Sequence, residues 1–286
     1  MAYQIITDSC CDLPRNIKEQ LQLTCIDITL MFRARVWTDT SDEGLKTVYD
    51  GLRTGEVATT AAANPQDWAS VIEPVLSDGR DALVLAFSSG LSTTYQSAVI
   101  AAQELQEKYP ERTVKGVDTL CASMGQGLRV WYACHQQQAG KSLEEVCAWC
   151  EDNKLHLCHW FTVDDLMFLK RGGRVSATKA VLGTILNIKP ILHVDDEGHQ
   201  IKVSTARGRK ASIDALAAKA AATALPGQND TMFISHGDCQ EEAQALADKI
   251  LAIAQPKELI FCPHEPVTGS HVGPGMLGLF FFGEGR

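Results

Sequence analysis

The sequence predicts a two-domain α/β protein, with a mainly parallel sheet flanked by helices in residues 1–155 and an α/β domain carrying a mixed sheet in residues 156–286. Three observations predict it. At 286 residues the chain exceeds the commonest size of a single core, so two units of about 100–200 residues are expected. Through the first half, short apolar runs alternate with helix-period segments, the pattern of βαβ units whose strands lie parallel. In the second half, Asp195-Asp196-Glu197-Gly198 separates two apolar runs as a hairpin turn would, which makes that sheet mixed.

Strands are expected at residues 3–6, 24–29, 82–87 and 113–117, runs rich in β-branched and apolar residues. Helices between them have readable starts. Asn64 followed by Pro65 reads as an N-cap with proline at the first helical position, Ser92 opens a run to Lys108, and Ser142 with Glu145 reads as a capping box. The second half predicts strands at 155–161, 188–194, 201–204, 232–235 and 259–262. Helices fill the gaps at 179–186, 211–224 and 240–254, the last two alanine-rich and free of glycine and proline. No internal repeat or low-complexity linker interrupts the chain.

With 45% hydrophobic and 21% charged residues the composition is that of a globular protein. No run approaches the ~18 apolar residues of a membrane span, so no integral membrane segment is expected. The opening residues lack the basic stretch and small-residue cleavage site of an export signal, and a cytoplasmic location is expected. Ten cysteines in a chain of this length, without such a signal, read as reduced thiols. A net charge of -9 argues against a nucleic-acid surface, which needs a clustered basic face.

Small polar residues collect after the strands of the first half: Ile6-Thr7-Asp8-Ser9, Ser88-Ser89-Gly90-Leu91-Ser92 and Asp118-Thr119. In an open parallel sheet the carboxyl ends of the strands border the ligand crevice, so these loops should share one rim. Hydroxyls and backbone N–H groups suit an oxyanion there, although any one serine alone reads equally as a helix cap.

Catalytic patterns are poorly represented. There is no G-x-S-x-G elbow and no phosphate-binding G-x-x-x-x-G-K-[ST]. The G-x-G-x-x-G match beginning at Gly273 runs into a strand-like segment instead of a helix. Cys147-x-x-Cys150, with His156, Cys158 and His159 nearby, has zinc-like residues, but the two cysteines fall one turn apart on an amphipathic helix, so core thiols and no metal are expected. The vicinal pair Cys10-Cys11 lies beside the rim.

Taken in order, these segments resemble the DegV family of bacterial fatty-acid-binding proteins. Thr7-Asp8-Ser9-Cys10-Cys11-Asp12-Leu13-Pro14 resembles its T-D-S-x-x-D-L-P opening, and Ser88 to Ser92 with Tyr95-Gln96-Ser97-Ala98 its S-S-G-L-S-x-T-Y-x-S-A. Leu169 to Ser176 resembles L-x-R-G-G-R-[IV]-S, Leu186 to Leu192 resembles L-x-I-K-P-I-L, and His236-Gly237 and Gly269 to Gly275 complete the series. One departure stands out: Thr60-Ala61-Ala62-Ala63 replaces the usual T-S-Q-P, which retains the threonine but fewer donors.

The resemblance implies a DegV-like two-domain fold and a long-chain, palmitate-like fatty acid as ligand, with no cofactor beyond it. Thr60 and Ser92 would bond the carboxylate, with Ser89, Gly90, Arg171 and His271 near the head group at the interface of the two domains. It further implies that the chain is no enzyme itself but presents the acid to an ATP-dependent fatty acid kinase subunit for acyl-phosphate formation. Charge placement makes Arg174, Arg207 and Arg209 candidates for docking that partner. Two other readings remain at this stage: a stand-alone enzyme acting on a small carboxylate or phosphate, with His271 and Asp8 as its only available base, and a lipid-sensing regulatory protein.

Overall fold

In the computed structural model, which describes residues 2–175 and 187–286, the chain builds three sheets in a layered α/β arrangement. The helix expected at 179–186 and Ser176 lie outside the described residues.

The first sheet is wholly parallel, in the order β2 (Thr24–Ile26), β1 (Tyr3–Asp8), β6 (Asp81–Ala86), β7 (Val114–Asp118). Its alternation assigns two faces. Tyr3, Ile5, Leu83 and Leu85 point one way, whereas Ile6, Ala82, Val84 and Ala86 point the other, onto α3 (Pro65–Ser77) and α4 (Thr94–Lys108). The cap of α3 forms as expected: Asn64 Oδ1 accepts from Asp67 N at 3.0 Å, and Asp67 returns the bond.

The second sheet is mixed, with order β10-β9-β8-β13-β11-β12: β10 (Gln200–Arg207), β9 (Ile188–Val194), β8 (Leu157–Thr162), β13 (Leu277–Phe282), β11 (Thr231–His236) and β12 (Glu258–Pro263). Only β11 and β12 pair in parallel. The turn at Asp195 joins β9 to β10 as the antiparallel hairpin its residues predict. One face, with Trp160, Ile234, Leu279 and Phe281, packs on α8 (Arg209–Thr223) and α9 (Gln240–Ile253).

Between the two sheets lies α5 (Met124–Gln138), which packs against β1 and β6 on one side and β8, β11 and β13 on the other. Next to it runs α6 (Leu143–Asp152), whose capping box has Ser142 Oγ accepting from Glu145 N at 3.2 Å. The fully buried guanidinium of Arg129 ties these helices together. It donates to the carbonyls of Cys150, Asn153 and Lys154 at 2.5–3.1 Å, a cation at the negative end of α6. The chain passes from the strands of the parallel sheet to those of the mixed sheet between α6 and β8.

A third sheet was not anticipated. The single strand expected at 24–29 breaks at Asp27. There the N–H of Ile28 donates to Ser9 Oγ at 2.9 Å instead of continuing a ladder, and the chain turns into β3 (Thr29–Phe32). This strand pairs antiparallel with β4 (Arg35–Val36) and β5 (Ala58–Ala61). Leu30 and Phe32 pack on Val48, Tyr49 and Leu52 of α2 (Asp42–Arg53). The remaining helices are α1 (Arg15–Gln20), α7 (Met167–Arg171) and α10 (Pro266–Val272). Among the described residues no helix is long and apolar enough to cross a membrane.

Candidate functional site

The three hydroxyl-rich loops do meet at the carboxyl edge of the parallel sheet, and Asp8 organises them. Its Oδ2 accepts from Phe87 N at 2.8 Å and Gln126 Nε2 at 3.1 Å, and its Oδ1 accepts from Cys10 N at 3.0 Å. Full burial pushes its carboxyl up to about 6, against the pull of those bonds. Asp118 Oδ1 likewise accepts from Ser89 N at 3.2 Å and Leu120 N at 3.1 Å. Both carboxylates are therefore spent on loop geometry. Asp8 makes no hydrogen bond to His271, whose Nε2 lies against Thr60 instead.

Gly90 fixes how closely the mixed sheet approaches this rim. A Cβ there would meet Glu197 O at 2.7 Å, and next to it Ser88 Oγ donates to Gly198 O at 2.9 Å. The β9–β10 turn thus closes one side of a cavity of about 440 Å³ between the two sheets, within the range of small-molecule sites. Thr60, Ser89, Ser92, Arg174 and His271 line it; Gly90 shapes it from behind.

Thr60 lies on β5, and its Oγ1 stands 2.8 Å from His271 Nε2 at the end of α10. Burial, with the nearby Arg174 cation, lowers His271 to about 4, so the ring is neutral at pH 7. Ser92 precedes the helix it was expected to open, since α4 starts at Thr94. Its Oγ sits 2.8 Å from Thr94 Oγ1 and accepts from Thr94 N at 3.2 Å. Ala62 also lines the cavity, an apolar wall where the family pattern carries a polar residue.

Arg174, read from charge as a docking residue, is instead part of the cavity wall. Its Nε donates to Leu91 O at 3.2 Å and its Nη1 to Gly172 O. Among the described residues no carboxylate lies within ion-pair distance of it. Arg171 is exposed and stacks over Phe168 at 5.4 Å, lining an adjoining recess of about 250 Å³ that also includes Thr60, Arg174 and His271. Gly172 permits this packing, because a Cβ would come 2.5 Å from His271 Nδ1. Arg207 is exposed on β10. Arg209 is drawn into the second half, where Nη2 reaches Cys239 Sγ at 3.4 Å and Asp164 and Glu242 lie 3.8 Å away.

A second polar group borders the cavity; Asp12 and Ser123 fall within segments that resemble the family, which mark neither as a site residue, and His264 falls in none. Ser123 Oγ and Ser235 Oγ each lie 3.0 Å from His264 Nδ1, Asp12 Oδ2 lies 3.4 Å from the same nitrogen, and Thr268 Oγ1 donates to Asp12 at 2.9 Å. Burial holds Asp12 well above the carboxylate range and drops His264 to about 3, so both groups tend to neutrality. The residues of a hydrolytic triad are present without its geometry, because serine and aspartate face one ring nitrogen, whereas a relay needs one on each.

Cys147 and Cys150 both sit on α6, as their spacing predicts. Among the described residues no three His, Cys, Asp or Glu side chains gather closely enough to hold a metal ion. The G-x-G-x-x-G match runs directly into β13, so no helix N-terminus follows it.

The family described as "Uncharacterised protein, DegV family" matches residues 2–284. A DegV domain-containing protein of Clostridium perfringens is 40% identical over 284 residues, spanning 99% of this chain and 98% of that protein. Among solved structures, one described as showing fatty acid binding of a DegV family protein from Thermus thermophilus is 32% identical. Its TM-score is 0.86, covering 99% of this chain and 100% of that one. A DegV lipid-binding protein from Thermotoga maritima is 26% identical with a TM-score of 0.84, covering both chains completely.

Proposed function

The chain belongs to the DegV family, and from that premise we propose that it binds a long-chain fatty acid by its carboxylate in the cavity between the two sheets. The observation that carries the reading is the pairing of Thr60 Oγ1 with His271 Nε2 at 2.8 Å beside Arg174, a cation without a carboxylate partner among the described residues. A carboxylate would complete that set, taking Arg174 as its counter-charge and Thr60 and Ser92 as donors, with the neutral His271 donating its Nε2–H to Thr60 Oγ1 and so turning the threonine proton toward the acid. Ser89 closes the same rim. The acyl chain would run along Ile28, Phe161, Val267, Met276 and Phe280. At ~0.8 kcal/mol per buried CH₂, a sixteen-carbon acid gains on the order of 11 kcal/mol before ordering costs.

On this reading the chain is a carrier that presents its acid to a separate ATP-dependent fatty acid kinase. The recess lined by Arg171 supports it, since it shares Thr60, Arg174 and His271 with the cavity and so offers a route to the carboxylate. Mass spectrometry of the denatured, purified protein tests the first claim: a stoichiometric long-chain acid is expected, and an empty cavity that also takes up no added acid would refute it. For the second, Arg171→Glu with Arg207→Glu should keep the bound acid while slowing acyl-phosphate formation by the kinase at low salt. An unchanged rate would remove both from the docking surface.

A further inference from the structure

The cavity is less uniformly apolar than an unsubstituted acyl chain requires. Ser123, His264 and Thr268 line it together with Met276 and Phe280. His264 is only 2% exposed, its Nδ1 is occupied by the two serine hydroxyls, and among the described residues no hydrogen bond reaches its Nε2. Ser123 is held at φ 55°, ψ −144°, a left-handed backbone that a non-glycine residue adopts at a cost and that persists where the surroundings enforce it. An alkyl chain laid over these groups would strip His264 Nε2 of water and return no bond.

We propose that His264, Ser123 and Thr268 form a second, polar subsite that takes a hydroxyl carried on the acyl chain, so that the preferred ligand is a hydroxylated long-chain fatty acid. This rests on the fatty-acid reading above. A hydroxyl both donates and accepts, and therefore satisfies Nε2 in either ring tautomer. A second carboxylate is excluded, because an anion buried against the neutral His264 would lack a counter-charge. Thr268 and His271 lie on one face of α10, three residues and about 4.5 Å apart along the axis. The hydroxyl accordingly belongs near the carboxyl end of the chain rather than at its methyl end.

The test is competition for the delipidated wild-type protein among hexadecanoate, 3-hydroxyhexadecanoate and 16-hydroxyhexadecanoate, followed by calorimetry. The 3-hydroxy acid should bind about tenfold or more tightly than hexadecanoate, the worth of one buried hydrogen bond, and the 16-hydroxy acid should gain nothing. In His264→Leu, and independently in Thr268→Val, the ratio of the two affinities should fall toward one. Equal wild-type affinity for hexadecanoate and the 3-hydroxy acid would overturn the subsite while leaving the carrier reading intact. A preference confined to the 16-hydroxy acid, or one that survives both substitutions, would overturn it too. Failure of every acid to bind would remove both readings.

Discussion

Thr60→Val is expected to weaken hexadecanoate binding by about tenfold or more without unfolding the protein. The substitution is nearly isosteric, and valine suits β5, an edge strand whose Thr60 pairs with Leu30. What disappears is one hydroxyl. It stands 2.8 Å from His271 Nε2, so its loss removes a donor to the carboxylate and leaves a neutral imidazole without its neighbour. A hydrogen bond to a charged group contributes roughly 1.5–3 kcal/mol, or about 10- to 150-fold in affinity. Adding Ser92→Ala removes a second hydroxyl from the same carboxylate, and the two effects should fall short of additive because they share one ligand group. Isothermal titration of delipidated wild type, Thr60→Val and the double variant measures both steps, with thermal melting of the unliganded proteins as the control for folding. Affinity of Thr60→Val within twofold of wild type, in a protein that melts normally, would place the carboxylate elsewhere.

Three further outcomes follow from the packing and the buried charges. Gly90→Ala puts a methyl 2.7 Å from Glu197 O, and overpacking against backbone should cost about 1–3 kcal/mol in urea denaturation; an unchanged midpoint would mean that the β9–β10 turn is not seated on the rim. His193, stacked on Trp160 and lowered by burial to about 4, resists protonation in the folded state. The unfolded chain then binds the extra proton below about pH 6.5, and stability falls from there toward pH 4 by up to roughly 3 kcal/mol. Asp8, raised to about 6, works in the opposite sense and is most stabilising at low pH. His193→Gln should therefore flatten the acid limb measured at pH 7, 5.5 and 4.5, and an unaltered slope would refute the assignment. Elemental analysis should find no stoichiometric zinc, since Cys147 and Cys150 sit on one helix; one zinc per chain would overturn that reading.

Local physics made much of the scaffold legible. The hairpin signal at Asp195 and the capping residues Asn64 and Ser142 act within a few positions of themselves, and each is realised. The strand at residues 188–194 could be read because apolar residues predominate in it, and Pro190 to Val194 are all buried. Strand β5 was invisible because Ala58-Thr59-Thr60-Ala61 is half-exposed and lacks an apolar alternation, and its partner β3 lies about thirty residues earlier in the chain.

For the site, the sequence by itself determined residue types, and tertiary structure decided their company. Family motifs pointed to Thr60, Ser92 and His271, but the contact between Thr60 and His271 joins residues 211 apart. Arg174 read as one of several basic surface residues until the fold turned it into the cavity and left it without a carboxylate partner among the described residues. His264 had no signal at all, because its partners Ser123 and Asp12 lie far away in the chain and meet it only where the start of α5, the turn after β1 and the link from β12 to α10 come together. Hydrophobic period and capping report on neighbours within one element, so they specify the layers. A binding site is made where separate elements cross, and its charge balance is set by burial that no local pattern encodes.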